Sequence, residues 1–187
     1  EASPITVFIE GGVKSYSMDN NLRPIARSLI PELTDQIPDP LVRFGCGDAW
    51  AHLLEGSLSP LASSGVRRNG ADLIREMLNV GVNRDVRWFE LSAKACLLQS
   101  KSSVGLIHGI SHTLEIPLIS EFPEEKWGHA RLCSVFLWPV FQLFIRESKK
   151  WEEYVVEFDL DETAISSNIH STFELEEYLS ILGHLRK

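Results

Sequence analysis

The sequence predicts a mainly α protein, a helical, bundle-like body preceded by a small β-hairpin. Three observations predict it. Residues 4–18, PITVFIEGGVKSYSM, combine β-branched and aromatic residues around Gly11-Gly12, the pattern of two short strands joined by a glycine turn. After Pro40, most segments repeat their apolar residues at helical spacing. The longest apolar run, LCSVFLWPVFQLFI at 132–145, is shorter than the roughly 18 residues of a membrane span.

Taken in order, the hairpin is followed by residues 20–40, which carry four prolines and read as a loop-rich connector. Helices are then expected over 45–56, 61–80, 88–102, 104–115, 127–146 and 173–185. The run at 132–145 reads as a buried core helix, kinked or broken near Pro139. EIPLISEFPEEKWG, 115–128, holds two prolines and reads as a loop; YVVEFDLDE, 154–162, reads as a short strand or an extended link. The chain has no internal repeat and no low-complexity tract.

Composition bounds the class. The 187 residues are 44% hydrophobic and 24% charged, enough apolar material for a single core. A net charge of −8 without a Lys/Arg cluster argues against a nucleic-acid or anionic-membrane partner. Cys46, Cys96 and Cys133 are widely spaced with no C-x-x-C pairing, so we expect reduced core thiols in a cytoplasmic protein. The opening EASPITVF has neither an initiator Met nor a basic signal region, and reads as sequence joined partway through something longer.

Of the six histidines, two sit four apart in GLIHGISHTLE, 105–115. On a helix His108 and His112 share a face, which suggests a metal, a proton relay or coincidence. GDAWAHLLEG, 47–56, repeats the spacing with Asp48 and His52 among apolar residues. A carboxylate buried there is costly unless it is paired or coordinates a cation. His129, in KWGHARL, opens the long apolar helix. One carboxylate and up to four imidazoles from three segments form the mixed N/O set that Fe²⁺ or Zn²⁺ favours. Glu55, three residues after His52, reads as a charge beside that set or on the surface. His170 and His184 read as solvated surface residues. Trp50, Trp127 and Trp138 read as core or cleft-lining aromatics.

These segments resemble the iron-containing (group III) alcohol dehydrogenases. GDAWAHLLEGSLSPLA resembles that family's D-A-x-x-H-x-x-E segment followed by S-P-x-A. GLIHGISHTLE resembles its G-x-x-H-x-x-x-H-x-L segment, and GHARLCSVFLWPV its later histidine segment. The order is also the family's. Upstream, residues 1–33 resemble the stretch from a G-S-E turn through a hairpin to D-P-E-L, with IPEL at 30–33 in its place. The likeness runs to about residue 145; the last forty residues resemble nothing specific and lack a clear final helical pair.

The resemblance implies that Asp48, His52, His108 and His129 ligate a divalent metal, Fe²⁺ or Zn²⁺. It implies that His112 lies beside the metal without ligating it, faces nicotinamide and substrate, and relays a proton. The activity implied is NAD(P)-dependent interconversion of an alcohol and an aldehyde or ketone by metal-assisted hydride transfer. Family members have two domains, the first with a glycine-rich G-G-G-S loop at the pyrophosphate. That loop is absent from this sequence. Residues 1–40 therefore read as a remnant of the nucleotide-binding domain and 41–187 as the α-helical metal-binding domain. We expect these residues alone to be inactive, and the uncovered interdomain surface to favour a homo-oligomer. From His112 to His129 is seventeen residues, longer than in the compact members, so 115–128 reads as carrying an insertion. Two other readings stand beside this one. One is a non-catalytic helical metal-binding or interaction domain. The other is a dehydroquinate synthase-like lyase, whose H-G-E-A segment GHARL does not match and which would need phosphate-binding basic residues such as Arg131 near the metal.

Overall fold

The computed structural model describes residues 5–11, 13–22, 24, 26, 28 and 30–186. Strands β1 (Ile5–Glu10) and β2 (Val13–Met18) form the expected antiparallel hairpin, with Val7 opposite Tyr16 and Glu10 opposite Val13. Gly11, in the turn, has φ +58°, a conformation glycine adopts without cost. The connector holds a 3₁₀ turn (Asn20–Leu22) and a one-turn helix α1 (Pro31–Thr34). The body follows as α2 (Asp39–Leu58), α3 (Ser64–Val80), α4 (Arg87–Gln99) and α5 (Leu106–Glu121). A second 3₁₀ turn (Pro123–Glu125) leads to α6 (His129–Glu147), α7 (Lys149–Phe158), α8 (Glu162–His170) and α9 (Leu175–His184).

Helix α2 is the axis of the bundle. Prolines at 38 and 40 start it, supplying a fixed φ where no backbone N–H is needed. Phe44, Cys46, Ala49, Trp50, Ala51, Leu53 and Leu54 are buried on several sides of it. A helix apolar all round belongs in the interior; α3, α4, α5, α6 and α7 all pack against this one. Helix α3 is one-sided instead. Val66, Gly70, Leu73, Ile74, Met77 and Val80 are buried, the Ser63 hydroxyl accepts from the Val66 N–H at 3.3 Å, and Gly81 at φ +70° ends it.

Three expectations are corrected. Residues 115–121 are not loop: α5 runs through Pro117 to Glu121. Burial of Leu118 against the core holds that last turn, although Pro117 removes one helical hydrogen bond. Residues 154–158 are not extended. Trp151, Tyr154, Val155 and Phe158 fall at i, i+3, i+4 and i+7 and all pack on the core, so helical burial overrides the β-propensity of YVVEF. The last forty residues, expected to lack a clear final helical pair, do end in one, α8 and α9. Helix α7 precedes the pair, and α8 is capped by Asp161, whose carboxylate accepts from the Ala164 N–H at 2.9 Å. Helix α6 passes Pro139 unbroken.

Candidate metal centre

Three helices carry the chemistry, each with a pair of residues four apart. Helix α2 presents Asp48 and His52, α5 presents His108 and His112, and α6 presents His129 and Cys133. Four residues is just over one turn, so each pair projects from one face. Packing of α2 on α6, and of α5 on both, turns these faces toward one another.

A carboxylate oxygen of Asp48, a ring nitrogen each of His108 and His129, and the Cys133 sulfur all lie within 4.8 Å of one another. Nε2 of His108 is 3.7 Å from Oδ1 of Asp48, and Nε2 of His129 is 3.9 Å from the same oxygen. The Cys133 sulfur is 3.5 Å from Nε2 of His129. His52 stands at the edge of this set. Its Nε2 is 3.8 Å from Oδ2 of Asp48, and its ring stacks on His108 with centroids 4.2 Å apart. His112 stacks on His129 at 4.5 Å and forms a second group with Glu115 and His129. The fold therefore brings together all five histidine and aspartate positions singled out in the sequence.

Residues behind the cluster fix which way its imidazoles face. The Glu55 carboxylate is buried and accepts from Nδ1 of His108 at 2.7 Å, from the backbone N–H groups of Gly105, at 2.9 Å, and of Ile107, and from the Gln99 amide at 3.4 Å. An ionised carboxylate only accepts, so Nδ1 of His108 carries the proton and its Nε2 offers a lone pair to the cluster. Oε1 of Gln99 does the same for His52, accepting from Nδ1 at 2.8 Å. Glu55 has a second task. Helix α5 begins beside Gly105 and has no side-chain cap of its own, and the Glu55 carboxylate from α2 satisfies its first N–H groups. A Cβ on Gly105 would come within 2.8 Å of the Glu55 carboxyl carbon, so the cap requires glycine there.

Charge around the cluster follows from burial. Desolvation lowers the His52 pKa against the pull of Asp48. Burial, with like charge from His129, Lys14 and His108, brings His112 down to about 4, a neutral imidazole near neutral pH. The His129 ring, 3.6 Å away, and the Lys14 ammonium hold Glu115 down at about 2. Lys14 lies on β2, so this ion pair ties the hairpin to α5. Burial pushes the Cys133 thiol well up.

Reasoning from sequence missed three participants. Cys133 reads there as a core thiol, although its spacing from His129 repeats that of the other two pairs and was the available signal. Glu115 follows His112 by one helical turn, a weaker signal of the same kind. Nothing in the sequence marks Gln99. Two assignments change. His184 is not solvated: its Nε2 is 2.7 Å from Oε1 of Glu125 and its ring lies 3.7 Å from that of Phe122. Cys96 is half-buried rather than core, whereas Cys46 and Cys133 are buried. His170 is exposed and meets the edge of Trp138. Arg131 binds Glu177 at 2.8 Å and lies 3.8 Å over the Trp127 ring, so its charge is matched away from the cluster.

The donor set fits a metal. Oδ1 of Asp48 and Nε2 of His108 are buried and have no hydrogen-bond partner, yet they face each other at 3.7 Å. Two acceptors so placed suit a cation between them. Metal–ligand bonds of about 2.0–2.3 Å in tetrahedral geometry separate donor atoms by roughly 3.3–3.8 Å, close to the spacings here.

Comparison with solved structures bears on the backbone fold. An iron-containing alcohol dehydrogenase of Thermotoga maritima superposes with a TM-score of 0.67 over 92% of this chain, at 19% identity. A second iron-containing alcohol dehydrogenase gives the same score, coverage and identity, and one from Thermococcus thioreducens gives 0.66 over 97% at 20%. This chain has the fold of the iron-containing alcohol dehydrogenases. It spans 47–48% of the length of those three structures. No protein-family model matches the sequence, and no curated protein matches it. The family resemblance read from the three motifs therefore holds as a shared fold.

Proposed function

We propose that this chain is the metal-binding half of an alcohol dehydrogenase-like oxidoreductase that interconverts an alcohol and an aldehyde or ketone with NAD(P). The observation that carries the proposal is the pair of buried, unpartnered acceptors on Asp48 and His108, facing each other across a space also bordered by His129. Asp48, His108 and His129 would hold a divalent ion, Fe²⁺ or Zn²⁺, with His52, the fourth ligand of the family pattern, standing beside them. A bound ion would act as a Lewis acid toward an alcohol or carbonyl oxygen, while the nicotinamide carries the hydride.

The chain's own groups do the rest. Glu55 and Gln99 orient His108 and His52 by holding their Nδ1 protons. His112 is placed beside His129 as an uncharged, half-buried imidazole, suited to passing a proton between substrate and solvent. Residues 1–40 would border the nucleotide-binding half. The 187 residues contain no glycine-rich pyrophosphate loop, so we expect no turnover from them alone. Val7, Phe8, Ile9 and Tyr16 of the hairpin are exposed, and a homo-oligomer would cover such apolar surface. Among the described residues no helix is long and apolar enough to cross a membrane. Arg131, bound to Glu177, is unavailable for the phosphate that a dehydroquinate-type lyase would need nearby.

The test is the metal content of the purified chain and of His108→Ala, by elemental analysis after incubation with Fe²⁺ or Zn²⁺. Stoichiometric metal, lost in the variant, is expected. A chain that binds neither ion would overturn the proposal.

A further inference from the structure

We propose that Cys133 is a ligand of this centre, so that the donor set formed by the fold is Asp48, His108, His129 and Cys133. The inference rests on the metal-binding reading above and changes its composition. Three observations support it. The Cys133 sulfur lies in the same group of mutually close donor atoms as Asp48, His108 and His129, and 3.5 Å from Nε2 of His129. It is fully buried, on the turn of α6 directly after His129, so the packed helix gives it no outward position. The third, independent of these, is the unpartnered Nε2 of His108, a side chain 1% exposed, aimed at the same space.

His52 competes for the fourth place and is less well set. Its Nε2 stands 3.8 Å from Oδ2 of Asp48, on the other carboxylate oxygen from the one that faces His108 and His129. Its ring is stacked face-on against His108 and anchored by Gln99, which fixes it as a wall of the site. A ligating thiol gives up its proton to solvent, and the metal–sulfur bond replaces the S–H bond. A thiolate among imidazole and carboxylate ligands shifts preference toward softer ions, Zn²⁺ and its spectroscopic substitute Co²⁺, and away from hard ions such as Mg²⁺.

The experiment is titration of the metal-free chain with Co²⁺, followed by absorption spectroscopy. Thiolate bound to cobalt gives an intense near-ultraviolet charge-transfer band that imidazole and carboxylate ligands do not. We expect the band in the unaltered chain and in a Cys46→Ser/Cys96→Ser variant, which leaves Cys133 as the remaining thiol. We expect its loss in Cys133→Ser, with affinity for Zn²⁺ falling by about tenfold to a hundredfold. His52→Ala should keep the band. The double variant keeps the test decisive if Cys133→Ser does not fold. Cobalt bound stoichiometrically without the band would overturn the assignment of Cys133 and leave the metal-binding reading standing. No cobalt bound at all would overturn both.

Discussion

The carboxylate of Glu55 accepts from Nδ1 of His108 at 2.7 Å, and both side chains are 1% exposed. Two helices that meet at the candidate centre, α2 and α5, are joined at this bond. Glu55 also satisfies the first N–H groups of α5. Removing its charge therefore acts twice. Glu55→Gln keeps one acceptor but offers N–H groups where Nδ1–H of His108 needs an oxygen. Affinity for Zn²⁺ should fall by about tenfold to a hundredfold, and stability by about 1–3 kcal/mol. Chelator competition and thermal unfolding read the two effects separately. Unchanged affinity would show that Glu55 does not orient His108.

Two of the three glycines of helix α2 should respond oppositely to the same substitution. A Cβ on Gly56 would meet the Gln99 backbone at 2.8 Å, so α2 and α4 cannot both keep their places. Gly56→Ala should destabilise by about 1–3 kcal/mol through overpacking and displace Gln99 from His52. A Cβ on Gly45 meets nothing within 4 Å. Gly45→Ala should stabilise by about 0.5–1 kcal/mol, because alanine loses less backbone freedom in a helix. Urea unfolding of both variants gives the signs; equal signs would contradict the packing described.

The ion pair between Lys14 and Glu115 ties the hairpin to α5, with both side chains 13% exposed. Lys14→Ala should speed hydrogen exchange of the β1–β2 amides and leave the protection of α2 and α6 unchanged. The cost to global stability should be on the order of 1 kcal/mol, because the pair joins the hairpin to α5 and no part of the core rests on it. Exchange that rises equally across the chain would mean that the hairpin is integral to the core.

The thiols should separate by burial. Cys46 is 1% exposed and burial pushes its pKa up to about 12, and Cys133 is fully buried. Cys96 is half-buried. Reactivity needs both access and thiolate. Alkylation of the native chain near neutral pH should label Cys96 first, with Cys46 and Cys133 labelled only on unfolding. Mass spectrometry of peptides reads the order, and early labelling of Cys46 would contradict its burial.

The periodic helices and the hairpin are written into the chain itself, because burying an apolar face imposes a spacing that the chain must carry wherever it folds. So are the two i, i+4 pairs Asp48/His52 and His108/His112, because that spacing places two side chains on one face of any helix. Local pattern was insufficient where two tendencies conflicted. Pro117 reads as a helix stop, and YVVEF as a strand. Only contacts with residues distant in the chain decided for helix in both, through Leu118 in one and Trp151 and Tyr154 in the other. The site divides the same way. Asp48, His52, His108, His112 and His129 were legible because their residue types are costly to bury without a purpose. Gln99, Glu115 and Cys133 were not, since a glutamine, a surface-compatible glutamate and a core-compatible thiol gain a role only from what faces them. Helix packing alone decided that Glu55 of α2 meets both Nδ1 of His108 and the start of α5, fifty residues on, because that bond depends on the crossing of two helices and on no property of either segment.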